Sequence, residues 1–201
     1  AFGVLTVFML YFFRDPERNV PDLADAVVSP ADGRVLIAGD AEPAAAPPGD
    51  WKQISIFLSP LDVHINRIPI DGRVARVDYT PGRFLPAYRP ESARVNERNE
   101  VWIERGGGVL VCRQVVGVLA RRLVCRVGPG AMVRTGQRYG LMKFGSRIDL
   151  YLPPRAVLGV AAEELAVELY HRHAVELVYR GALGAGYGEL LAHRLPAVAV
   201  A

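Results

Sequence analysis

The stretch Gly140-Leu141-Met142-Lys143-Phe144-Gly145-Ser146-Arg147-Ile148-Asp149-Leu150-Tyr151 decides how the chain is read. It places a Gly-Ser pair between two apolar runs, and Ile148, Leu150 and Tyr151 read as a strand. A glycine before a serine opens backbone conformations closed to other residues. It also lets the serine hydroxyl come close to a carbonyl carbon. Gly-Ser pairs are common in turns as well, so the pair alone reads first as a β-turn serine. The rest of the chain has to separate the two readings.

Working outward, Val101-Trp102-Ile103, Val109 to Cys112, Val115 to Leu119 and Leu123 to Val127 are strand-like runs divided by glycines or charges. Lys52 to Leu58 is another. Val27 to Ile37 reads as strand, turn, strand about Asp32-Gly33, and Ile68 to Val77 reads the same way about Asp71-Gly72. The tetrapeptide Asp-Gly-Arg-Val thus occurs at 32–35 and again at 71–74, and two copies do not make a repeat. Ala41 to Asp50 is a Pro- and Ala-rich loop. Tyr79 to Asn99 is a long polar loop of the kind that often carries function. The expectation is a mainly β, sandwich- or barrel-like single domain with hairpins and short helices over residues 14–201.

The chain has 201 residues, half of them hydrophobic, which excludes a disordered polypeptide. A formal charge of +3 is too small to argue for a nucleic-acid partner. All but two of the 24 basic Lys and Arg residues are arginine, the exceptions being Lys52 and Lys143. Any amine chemistry run from a lysine must use one of those two, and arginine suits contacts to phosphate. Cys112 and Cys125 fit no metal spacing and read as reduced core thiols, implying a reducing compartment. No metal site is expected.

Ala1 to Phe13 is almost wholly apolar and ends in aromatics. Thirteen residues fall short of the roughly twenty that a spanning helix needs. With alanine rather than methionine first, residues 1–13 read as a membrane-associating segment continuing from something longer. Arg14 and Arg18 follow at once, which puts the catalytic domain on the cytoplasmic side of the cell membrane.

Other segments carry groups suited to chemistry. They are Phe12-Phe13-Arg14-Asp15-Pro16-Glu17-Arg18, Ser29-Pro30-Ala31-Asp32-Gly33 and Phe57-Leu58-Ser59-Pro60-Leu61-Asp62-Val63-His64-Ile65-Asn66-Arg67. With Pro81-Gly82, Asn96-Glu97-Arg98-Asn99, Gln114-Val115-Val116-Gly117 and Phe144-Gly145-Ser146, they resemble the phosphatidylserine decarboxylase proenzymes of the short bacterial and archaeal type. The matches run in family order from Phe12 to about Pro153. The resemblance implies self-cleavage between Gly145 and Ser146 into a large chain (1–145) and a small chain (146–201). Ser146 would become a covalent pyruvoyl group, the cofactor of the reaction.

In that scheme Ser146 attacks the Gly145 carbonyl, His64 is the base, and Asp32 matches the carboxylate that orients the imidazole. Asp62 either shares that work or merely caps its loop. The implied reaction turns phosphatidylserine into phosphatidylethanolamine, so the partners are a phospholipid, the membrane and the two chains of one precursor, with a homo-oligomer also compatible. Arg83 and Arg67 are candidate phosphate contacts, alongside Arg89, Arg94 and Arg98. The chain departs from the longer family members at Arg67, where those carry a second histidine, and residues 155–201 do not follow the pattern. The alternative readings are a biotinyl or lipoyl carrier-like β module modified on Lys143, an archaetidylserine decarboxylase, an inactive membrane-bound β scaffold and a Ser-His-Asp hydrolase.

Overall fold

A computed structural model describes residues 2–20, 26–118 and 122–158. Among the described residues two helices, α1 (Phe2–Phe12) and α2 (Ser92–Val95), accompany ten strands. The strands are β1 (Arg34–Asp40), β2 (Lys52–Leu58), β3 (Ile65–Arg67), β4 (Gly72–Thr80), β5 (Arg98–Arg105), β6 (Gly108–Val116), β7 (Leu123–Cys125), β8 (Met132–Val133), β9 (Arg138–Met142) and β10 (Ser146–Leu152). Seven of them form one sheet in the order β1-β2-β10-β6-β5-β4-β8, and three form a second, β3-β9-β7. Every strand pair is antiparallel.

Strand β10 is the best-covered strand, with all seven residues buried between β2 and β6. Side chains alternate across a strand, so β10 must serve two faces. Ile148, Leu150 and Leu152 join one hydrophobic cluster with Tyr139 and Met142 of β9 and with Ile68 and Ile70. The two sheets therefore share a core. Arg147, Asp149 and Tyr151 point the other way. Arg147 Nε donates to Asp149 Oδ1 at 2.6 Å, and Arg147 Nη2 donates to Ser55 Oγ at 2.8 Å. Ser55 in turn donates to Asp149 Oδ1 at 2.6 Å. Arg113 donates to Glu100 Oε1 and to the Tyr151 hydroxyl, each at 2.8 Å. Charges this deeply buried are stable only when paired and hydrogen-bonded.

The cysteines are free, as their placement in strand-like runs suggested. Cys112 Sγ lies 3.0 Å from the Tyr139 hydroxyl, and burial pushes its thiol up to about 12. It is a packed core group with little thiolate at neutral pH.

Neither Asp-Gly pair forms the expected hairpin. Val27 and Val28 are buried but lie in no strand, and β1 begins only at Arg34. The segment Ile68-Pro69-Ile70 is likewise not a strand, and β4 pairs with β5 and β8. In both places the glycine is needed for space beneath a neighbouring strand. A Cβ at Gly33 would overlap the Phe57 carbonyl oxygen, and one at Gly72 would lie 2.5 Å from the Glu104 oxygen. The repeated tetrapeptide marks entry into a strand under another backbone. Asp71 spends its carboxylate on Thr135, accepting from the backbone N–H at 2.6 Å and the hydroxyl at 2.8 Å.

The run expected at 109–112 and the start of that at 115–119 are one strand, β6, which ends at Val116, because Arg113 and Gln114 find buried partners; Leu119 lies outside the described residues. The long loop before β5 is pinned by Asn96. Its Nδ2 donates to the Leu85 and Val116 carbonyls, both at 2.8 Å, and its Oδ1 accepts from Leu85 N–H at 3.0 Å. The N-terminal apolar run is the 11-residue α1, and among the described residues no helix is long and apolar enough to cross a membrane. The helical reading of Glu163 to Tyr170 lies outside the described residues.

Gly72→Ala should destabilise the fold by about 1–3 kcal/mol, because a methyl there meets backbone that cannot move aside. Gly128→Ala meets nothing within 4 Å and should stay within about 0.5 kcal/mol of the parent in the same urea titration.

Candidate active site

Three residues, Lys143, Phe144 and Gly145, carry the chain from β9 in one sheet to β10 in the other. So short a crossing forces unusual backbone. Phe144 has φ +58° and Gly145 has φ +74°. Glycine takes that conformation freely, but phenylalanine is strained in it. Packing holds Phe144 there. Its ring stacks on Phe12 at 4.5 Å between centroids, and Phe12 lies 4.4 Å from the His64 ring. Phe12 is 1% exposed, although most of α1 faces outward.

His64 precedes β3 and is fully buried. Its Nδ1 lies 2.9 Å from the Asp62 carbonyl oxygen, and its Nε2 accepts the Gly145 N–H at 3.2 Å. These partners fix the tautomer. Nδ1 carries the proton and donates to Asp62, leaving the Nε2 lone pair aimed at the Gly145 backbone. Burial lowers the imidazole pKa, outweighing the Asp62 carbonyl and the Asp62 charge, which both raise it. The ring is therefore a neutral base. The Asp62 carboxylate caps its own loop, accepting the Ser59 N–H at 2.7 Å.

Ser146 opens β10, opposite Leu58 on one side and Val116 on the other. Its Oγ is buried and without a hydrogen-bond partner. A buried hydroxyl normally finds one, and leaving it bare costs on the order of 1–3 kcal/mol. Ser146 shares its face of the sheet with Ile148, and hence with Gln114 of β6. Gln114 Nε2 donates to Asn66 Oδ1 at 2.7 Å, and Asn99 Nδ2 donates to Gln114 Oε1 at 3.3 Å. An amide chain thus runs between the sheets at the level of the site. Sequence reasoning missed this chain, and it missed Phe12 and the Asp62 carbonyl. Asn66 stood two residues from His64, a spacing that puts both on one side of a strand.

Two expected site residues are engaged elsewhere. Asp32 does not contact His64, whose Nδ1 is taken by the Asp62 backbone. Asp32 Oδ2 accepts from Arg18 Nη2 at 2.5 Å, because a mostly buried carboxylate needs a cation. Its pKa is still raised, since desolvation outweighs the Arg18 contacts. Arg67 donates to Asp15 Oδ1 at 2.9 Å, to the Pro16 carbonyl at 3.0 Å and to the Gly136 carbonyl at 3.1 Å. That fork fastens the chain after α1 and is not turned to a phosphate. Arg83 lies exposed on the long loop, bridged to Asn96. Lys143 is half-buried, with Nζ 5.7 Å from the Phe13 ring. Of the expected site residues, His64 and Gly145 are hydrogen-bonded, and Ser146 follows next in the chain.

The family model for phosphatidylserine decarboxylase matches residues 5–169. A phosphatidylserine decarboxylase proenzyme of Nitrosomonas europaea is 44% identical over 161 residues, covering 80% of this chain and 74% of its own. That of Ralstonia pickettii is 45% identical over 163 residues, covering 79% and 75%. That of Pelodictyon phaeoclathratiforme is 44% identical over 156 residues, covering 78% and 73%. Joined to a buried, unpartnered serine beside a histidine-bound glycine, these likenesses mean that the chain belongs to the phosphatidylserine decarboxylase family.

Proposed function

We propose that this chain is a proenzyme that cuts itself between Gly145 and Ser146 and then decarboxylates phosphatidylserine to phosphatidylethanolamine. The observation that carries the reading is the Ser146 hydroxyl, buried without a partner beside a left-handed glycine whose amide rests on a neutral imidazole.

His64 Nε2 takes the Ser146 proton once it lets go of the Gly145 N–H. Oγ then bonds to the Gly145 carbonyl carbon, and the Gly145–Ser146 C–N bond breaks as the imidazolium returns the proton to the Ser146 nitrogen, leaving an ester and a free Ser146 amine. Loss of the Ser146 α-proton expels the Gly145 carboxylate, and addition of water with release of ammonia leaves a ketone on residue 146. Asp32 is proposed as the carboxylate that balances the charged imidazole after parting from Arg18.

Ser146 fits the pyruvoyl group, since it starts a strand held by both neighbours, so a new terminus there stays in place. Bound there, the group supplies a carbonyl to capture the substrate amine and a sink for the electrons left by carbon dioxide. No enzyme lysine is required, in keeping with the scarcity of that residue. The large chain would be 1–145 and the small chain 146–201. Residues 1–13 are proposed to rest on the cytoplasmic face of the cell membrane. In α1, Phe2, Val4, Leu5, Val7 and Leu10 are all more than half exposed, an apolar surface suited to lipid.

Mass spectrometry of the purified chain should find fragments ending at Gly145 and beginning with a ketone-bearing residue 146. Ser146→Ala should remain one chain, and His64→Ala should slow cutting by about 10²–10⁴-fold. An intact parent protein would end the reading. Burial depresses the His64 pKa, so the base stays neutral below the ordinary value of 6.5. The self-cleavage rate should be level from neutral pH down to 6.5 and fall only under it, as a pH series of the processing reaction would register. In sedimentation with phosphatidylserine-containing vesicles, Leu5→Asp with Leu10→Asp should weaken binding roughly tenfold or more.

A further inference from the structure

At the end of β6 the backbone is fixed from the side of the long loop. The Val116 carbonyl accepts from Asn96 Nδ2 at 2.8 Å, and the Val116 N–H donates to the Glu97 carbonyl at 3.1 Å. The next residue, Gly117, is buried and lies against the carbonyl of Gly145. A Cβ placed on Gly117 would overlap the Gly145 oxygen, approach its carbonyl carbon to 3.0 Å and meet the Ala87 Cβ at 3.4 Å.

Two reasons can require a glycine, and they separate here. Gly145 has φ +74° and open space around its missing Cβ, so its demand is conformational. Gly117 is not in the left-handed region, and any residue could take its backbone shape. Its demand is for room, and the atom that needs the room is the oxygen of the bond proposed to break. The contact to Ala87 is ordinary van der Waals distance and demands nothing.

We infer that Gly117 is a positioning residue for self-cleavage, seating the Gly145 carbonyl oxygen so that its carbon stays open to Ser146 Oγ. The inference rests on the cleavage reading above. As Oγ adds, the carbonyl π electrons move onto the seated oxygen, and the carbon becomes tetrahedral. An oxygen lodged against a bare α-carbon keeps its direction through that change, whereas a methyl group would turn the carbonyl away. Displacements of about 1 Å in such geometry cost about a hundredfold in rate.

Three proteins test this together: the parent, Gly117→Ala, and Gly117→Ala with Ala87→Gly. The parent is expected to be cut. Gly117→Ala is expected to keep its circular dichroism spectrum with a lowered melting temperature, as expected for Gly72→Ala, to be cut at least about a hundredfold more slowly at a temperature where it is folded, and to resist hydroxylamine, because no ester has formed. Removing the Ala87 methyl should not restore cutting, since it leaves the carbonyl clash in place. Cutting at the parent rate, rescue by Ala87→Gly, or hydroxylamine-sensitive accumulation of an ester would each overturn the proposal. If Gly117→Ala does not fold, Asn96→Asp takes its place. It keeps the shape of Asn96 but sets an acceptor against the Val116 carbonyl, and cutting should slow about tenfold or more. A folded Asn96→Asp cut at the parent rate would overturn the inference. A parent that is never cut would instead remove the reading beneath it.

Discussion

His64 is held at both ring nitrogens by backbone, the Asp62 carbonyl on one side and the Gly145 amide on the other. Backbone partners cannot rotate away as side chains can, so the ring plane and tautomer are set by the fold itself. The same bonds tie the two sheets together, since His64 leads into β3 and Gly145 leads into β10. Most of the local oddities follow from that bond. The crossing from β9 to β10 must deliver the Gly145 amide to the imidazole within three residues. Phe144 is therefore driven into a conformation it resists, and its ring must be clamped by Phe12.

The clamp depends on a second set of forces. Asp15 pairs with both Arg67 and Arg138, Arg18 pairs with Asp32, and Arg14 donates to the Leu61 carbonyl. These contacts lay residues 14–18 along the three-stranded sheet and so fix where α1 ends. Phe12, at that end, covers His64 and helps exclude water from it. Desolvation is the largest cause of the lowered His64 pKa. An electrostatic arrangement outside the site thus helps keep the imidazole inside it neutral. It also explains why Arg67 and Asp32 look chemically ready in the sequence but are occupied in the fold.

The sequence made the β character and β2 plain, because apolar runs divided by glycines or charges are local signals, while the Gly-Ser junction became legible only through the motifs elsewhere in the chain. Lys52 to Leu58 was read with its observed limits. The two Asp-Gly turns were misread because local rules cannot distinguish a glycine that bends the chain from one that passes beneath another strand. That information sits at Phe57 and Glu104, far along the chain. The same holds at the site. His64 and Ser146 were legible as residue types, and their motifs supplied the order. The partner of Nδ1 was not, since any backbone carbonyl can serve and none leaves a mark in composition. Phe12 looked like part of a membrane segment because its neighbours in α1 are apolar on every side. Its burial and its ring contacts with Phe144 and His64 separate it from them.

The proposed cleavage at the first residue of a central strand has an energetic logic. β10 is hydrogen-bonded to β2 and β6 along its length, and its outer face is locked by Arg147, Asp149 and Ser55. Breaking the peptide bond before Ser146 leaves the contacts of residues 147–152 in place, and only the Ser146 nitrogen is given up, so the native sheet survives as a template for the new terminus. What does change is Phe144. While the chain is continuous its left-handed backbone stores on the order of 1–3 kcal/mol. Once Gly145 is a free end, that residue can relax to an ordinary conformation. The strain resides only in the uncut chain and so favours the cut one. The sheet bonds, present on both sides of the reaction, hold residue 146 in place while the strain is released.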